Sequence, residues 1–103
     1  MSEASETQAV ALTYQPGMPA PKVLSQGRGL LADAILQKAK ELGIPTKSEP
    51  ALVAFLMQLD VNDWVPPELF AAVAQVLAWA YEVDGSLSDK KEAVAEALKP
   101  PVS

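Results

Sequence analysis

Asp60 with Asp63, the run Asp84 to Asp89, and Gly27-Arg28-Gly29 are the places where residue types and spacing in this chain could do chemistry. Asp60 and Asp63 could work as a carboxylate pair, but a loop position just before Trp64 better suits capping and solvating a turn. Asp84-Gly85-Ser86-Leu87-Ser88-Asp89 starts like a calcium loop. Such a loop needs Gly at its sixth position and Glu at its twelfth, and Asp89 and Ala95 stand there. Gly27-Arg28-Gly29 ahead of a helix could cradle an anion on backbone N–H groups. The rest of any phosphate motif is missing, so a turn requirement explains the glycines better. The serines have no His to serve as base, which leaves a hydrolase without support. With no Cys either, no thiolate, disulfide framework or His/Cys metal set can form. The expectation is a protein that is not an enzyme, with no catalytic residues, cofactor or metal.

The 103 residues fit one small domain. Half are hydrophobic and a fifth charged, enough apolar content for a packed core. The formal charge is −5 and the basic residues are scattered, so the footprint that neutralises nucleic-acid phosphates is missing. The start, MSEASETQ, is acidic and polar where a secretory signal is basic and then apolar, which points to a cytoplasmic location. The longest apolar stretch, Leu69 to Val83, is broken by Gln75 and Glu82. It falls short of the roughly 20 residues that span a bilayer, so no membrane span is expected.

Residues 1–8 offer nothing to bury and read as a disordered tail. In the strand that follows, Val10, Leu12 and Tyr14 lie on one side and Ala9, Ala11 and Thr13 on the other. Pro16 to Pro21 breaks pairing, and Lys22 to Gln26 suits a second strand with Val23 and Leu24 as its apolar content. Gly27 and Gly29 then permit a turn. Leu31, Ala34, Ile35, Ala39 and Leu42 fall on one helical face that Gly43 terminates. Ile44 to Ser48, short and carrying Pro45, reads as an edge strand. A helix from Ala51 to Leu59, preceded by Pro50, buries Leu52, Phe55, Leu56 and Leu59.

Pro66-Pro67-Glu68 opens the longest helix, which carries two apolar stripes. One is Leu69, Val73, Val76, Ala80 and Val83; the other is Phe70, Ala74, Leu77 and Tyr81. One sheet face needs only a stripe of about 100°, so the second is surplus. Asp89 to Leu98 suits a short amphipathic helix with Ser88 as N-cap and Pro100 as terminator. The fold class is α/β (α+β), a small mixed sheet of three to four short strands surrounded by three to four helices. Domain organisation is a tail over 1–8, the domain over 9–83 and a C-terminal segment over 84–103.

Four blocks in this order resemble the cytoplasmic domain of the FlhB family, export-apparatus switch proteins of flagella and virulence type III secretion. They are Ala9 to Tyr14, Ala20 to Gly27, Gly43-Ile44-Pro45, and Val65 to Trp79. The resemblance spans about three quarters of the chain and implies a small mixed sheet surrounded by helices. In the family, Asn-Pro-Thr-His precedes the first strand, and the Asn amide attacks its own carbonyl to cut the chain, helped by a strained turn and the His. Ala4, Ser5, Glu6 and Thr7 stand there in this chain, so no autocleavage is expected. The family's transmembrane portion has no counterpart, and the Met1 start suggests a free-standing relative.

The resemblance also implies a docking patch for export substrates, carried onto Ala20, Pro21, Ala74 and Leu77. Pattern alone gives the second stripe to the core. With the resemblance, Ala74 and Leu77 become surface candidates, while Phe70 and Tyr81 are expected to be buried. The implied function is a non-enzymatic, FlhB-like component of flagellar or type III protein export, related to substrate-specificity switching. Its partners would be export substrate proteins and other export-apparatus proteins, and it would reach the membrane only through that apparatus. The alternative is a general cytoplasmic interaction domain of the same fold, unrelated to secretion, with residues 84–103 over the patch. Oligomeric state is not set by these residues.

Overall fold

In the computed structural model, described over residues 7–15, 17–84 and 91–97, three helices pack on a four-stranded mixed sheet in an α+β fold. Residues 81–84, 91, 92, 96 and 97 are described by their backbone. The sheet contains β1 (Gln8–Tyr14), β2 (Lys22–Arg28), β3 (Thr46–Ser48) and β4 (Lys91–Ala97) in the order β2-β1-β4-β3. β1 is antiparallel to both neighbours, and β3 runs parallel to β4 at the edge. The helices are α1 (Leu30–Leu42), α2 (Pro50–Leu56) and α3 (Phe70–Asp84), the last continuing a 3-10 turn over Pro67–Leu69.

The alternation expected along β1 divides the core. Val10 and Leu12 join Val23, Ala93 and Ala95 beneath Leu52, Val53 and Leu56 of α2 and Val73, Val76, Leu77 and Ala80 of α3. On the opposite face Ala9 and Val94 pack with Ala32 and Ala39 of α1. A bulge opposite Ala11 and Leu12 leaves Leu24 as the extra residue of β2. It keeps Val23 over the main core and turns Leu24 outward.

Several expected elements are displaced. β1 starts at Gln8, and the Thr7 carbonyl accepts from Gly29 N–H at 2.9 Å; residues 1–6 lie outside the described region. β2 runs on to Arg28, because Gly27 and Arg28 pair with Ala9 and Gln8 of β1, and Gly27 is buried where an added Cβ would crowd Leu31. The turn is made by Gly29 alone, at φ 58.

α1 is rotated from its expected face. Leu31 and Leu42 are exposed, Ala34 is exposed too, and Ala32 and Ala39 are buried. The sheet face below presents the small side chains of Ala9 and Ala11 beside Val94, so Ala32 and Ala39 sit deepest and Ile35 and Leu36 pack around them half-buried. Gly43 ends α1 as expected, in the left-handed conformation with Ile44 N–H donating to Ala39 O at 2.8 Å.

α2 ends at Leu56 and buries Leu52, Val53 and Leu56, leaving Phe55 58% exposed and Leu59 half-buried in the turn beyond. The centre of its contact lies between Leu56 and Val53, which rotates Phe55 out. Gln26 Nε2 donates to Leu59 O at 2.6 Å and to Leu56 O at 3.5 Å, fastening that turn to β2.

The helix expected within 89–98 is instead strand β4, from Lys91 to Ala97. It fills the position between β1 and β3 and buries Ala93, Val94 and Ala95, a tertiary gain that overrides the helix preference of Lys, Glu and Ala. Ser88, Asp89 and Pro100, the expected cap and stop, lie outside the described residues.

Candidate functional site

The turn after β1 and the start of α3 meet at one end of the main core. Gly17, at φ 93, closes the turn in which Met18 N–H donates to Gln15 O at 3.1 Å. The chain then runs through Pro19-Ala20-Pro21 into β2. This wall is fastened from outside: Val65 N–H donates to Pro21 O at 2.8 Å, and Val23 exchanges backbone hydrogen bonds with Asp63 and Asn62. Asp60 N–H donates to Asp63 Oδ2 at 2.9 Å, so the two aspartates shape a turn, as their loop position suggested. Lys22 Nζ lies 5.1 Å from the centre of the Trp64 ring and covers the same loop.

Across from the wall, the 3-10 turn started by Pro67 delivers Phe70 to the first turn of α3. Phe70, Ala74, Leu77 and Ala78 face Pro19, Ala20 and Pro21, and Tyr14 lies at the end of β1 between them. Together they line a groove of about 340 Å³ with no charged side chain among the described residues.

All four positions singled out from the sequence line this groove, although they come from two segments more than fifty residues apart. Their depths differ. Ala20 and Leu77 are 6% and 5% exposed and form the floor, Pro21 is half-buried, and Ala74 is open to solvent. Leu77 thus belongs to the core as well as to the groove.

Phe70, expected to be buried, is 38% exposed and lines the groove, because the 3-10 turn sets it at the start of α3 facing the Pro19-Ala20-Pro21 wall. Its place four residues before Ala74, on the same helical ridge, was the signal that could have identified it. The Tyr81 side chain lies outside the described residues. Pro19, Tyr14 and Ala78 were not anticipated either; only folding the turn against α3 brings them in.

On the other sheet face, α1 leaves a second groove of about 360 Å³ beside Leu24, Ala34, Lys38 and Leu42. Among the described residues no cluster of three or more His, Cys, Asp or Glu could hold a metal, and no helix is long and apolar enough to cross a membrane. Most of the Asp84 to Asp89 loop lies outside the described residues.

The family model described as FlhB HrpN YscU SpaS matches residues 6–80 of this chain. YlqH of Bacillus subtilis, a protein of uncharacterised function, is 37% identical over 84 residues, covering 81% of this chain and 90% of that one. The flagellar biosynthetic protein FlhB of Yersinia enterocolitica is 41% identical over 90 residues, 81% of this chain and 24% of FlhB. The hypersensitivity response secretion protein HrcU of Ralstonia nicotianae is 38% identical over 81 residues, 76% of this chain and 22% of HrcU. The chain therefore spans most of the length of YlqH and about a quarter or less of FlhB and HrcU.

Proposed function

The chain belongs to the FlhB HrpN YscU SpaS family of flagellar and type III export proteins, and from that premise we propose that it is a non-enzymatic docking component of such an export system. It binds export substrates or export-apparatus proteins in the groove between Pro19-Ala20-Pro21 and α3, acts from the cytoplasm, and takes part in selecting what is exported. The observation that carries this reading is the convergence of Ala20, Pro21, Ala74 and Leu77 on one uncharged concavity.

A groove of this size receives one or two apolar side chains of a partner, and its small area suits a weak contact that releases its cargo. Its wall adds selectivity. Pro19 and Pro21 have no N–H, and the Pro21 carbonyl is already taken by Val65, so the wall recognises side chains more than backbone. Aromatic Phe70 and Tyr14 supply the rigid, large-area contacts on which small interfaces depend.

Self-cleavage is not part of this function. The chain's one asparagine, Asn62, sits in the turn before the 3-10 segment, and Ala4 to Thr7 contain no side-chain amide to attack a carbonyl.

A photo-crosslinking amino acid at position 74, in cells assembling their export system, tests the reading. Export substrates or apparatus proteins should be captured there, and far less at position 37 on the exposed side of α1. Capture equal at both positions, or none together with unchanged motility and secretion on deletion, would contradict it.

A further inference from the structure

The strand β4 lies beyond the stretch matched by the family model, residues 6–80, and yet it sits in the interior of the sheet. It pairs with β1 from Gln8↔Ala97 to Tyr14↔Lys91, and it is the only sheet neighbour of β3 among the described residues. Ala93 and Ala95 enter the main core and Val94 enters the second, each 1% exposed or less. Without this strand, the rest of the fold would hold a gap one strand wide between β1 and β3, open to both cores.

What keeps Lys91–Ala97 there is its position more than its composition. Lys, Glu and Ala favour helix and rank low among strand formers. The gap asks little of side-chain identity: small or modest apolar groups at three successive central positions, and an extended backbone with free N–H and C=O groups on both edges. A poor strand former in an undemanding interior position is open to replacement by a better one.

We propose that the gap between β1 and β3 is a strand-acceptor site. Lys91–Ala97 is its resident strand, and its incoming ligand is an extended segment of a partner polypeptide. That segment runs antiparallel to β1 and parallel to β3, with small apolar residues at the three central positions and β-branched residues beside them. Recognition is strand addition, with backbone ladders giving affinity and the two shallow cores giving selectivity. The resident strand competes with the advantage of tethering, so the donor must win through strand propensity. This site is separate from the groove on α3 and stands whether or not that groove docks export proteins.

The chain has no Cys, so Gln8→Cys with Ala97→Cys, at directly opposed positions of β1 and β4, gives a full-length protein whose resident strand is locked by oxidation and freed by reduction. Two fluorescein-labelled peptide probes copy residues 88–99, one unchanged and one carrying Glu92→Val and Glu96→Thr. Fluorescence anisotropy should show the β-branched probe entering the reduced protein at least about fivefold more tightly than the unchanged one, with its binding to the oxidised protein weaker by about tenfold or more. In the unaltered chain, β4 amides should exchange with deuterium at least about tenfold faster than those β1 shares with β2. Failure of both probes to enter the reduced protein, equal binding to the locked one, or β4 protection equal to that of β1 with β2 would each overturn the proposal.

Discussion

Ala74 and Leu77 lie three residues apart on α3, on the side that the sequence left with surplus apolar surface, yet they differ in what a substitution would report. Ala74 is exposed, so Ala74→Asp should change stability by no more than about 0.5 kcal/mol while placing a charge where an apolar partner docks. Urea unfolding should superpose on that of the parent while partner binding falls about tenfold or more. Leu77 is buried against both the sheet and the groove, so Leu77→Ala should cost about 2–5 kcal/mol, and any binding defect would be mixed with unfolding. Helical spacing tells that 74 and 77 share a side; it does not tell how deep each one sits. Phe70 escaped the sequence reading for that reason. Gln26 is a residue-scale anchor of another kind: Gln26→Leu leaves the Leu56 and Leu59 carbonyls without their side-chain donor and should lower the unfolding free energy by about 1 kcal/mol.

At the scale of elements, the parts legible in the sequence are those whose pattern has one physical solution. β1 alternates large and small apolar residues, and both sets are used, one for each core. β3 is short and flanked by proline, so it forms an edge, and Lys47 Nζ over the Trp79 ring at 5.2 Å ties it to α3. α3 buries Val73, Val76 and Ala80 as its first stripe required. The faces of α1 and α2 were less legible because each helix has more apolar residues than it buries. The choice was made by the opposing surface, alanines on one side of the sheet and the β1 and β4 residues of the main core beneath α2 on the other. β4 was illegible from local preference, since only the empty place between β1 and β3 makes Lys91–Ala97 a strand. Two consequences can be measured by thermal or urea unfolding. Val94→Ala should cost about 2 kcal/mol, the value of two buried methyl groups with incomplete relaxation. Gly27→Ala, which drives a methyl group against Leu31, should cost about 1–3 kcal/mol.

For the whole molecule, the main core ends in a groove whose described lining is uncharged, even though the chain carries a net charge of −5. Long-range attraction therefore contributes little to docking a neutral apolar segment, and binding should change little between low and physiological salt. Purified protein should also give a single intact species of 10.9 kDa on mass spectrometry after prolonged incubation, since Ala4 to Thr7 include neither the Asn nor the His that self-cleavage would use. A fragment cut at those residues would show otherwise. The most direct test of groove docking is an NMR titration of the isotope-labelled full chain with a purified export substrate of the same cells' flagellar or type III system. Tyr14, Ala20, Phe70, Ala74 and Ala78 should shift together, and Ala74→Asp should abolish the shifts without altering the rest of the spectrum. No shift at saturating substrate, or shifts confined to the α1 groove around Leu24 and Leu42, would contradict docking at this site.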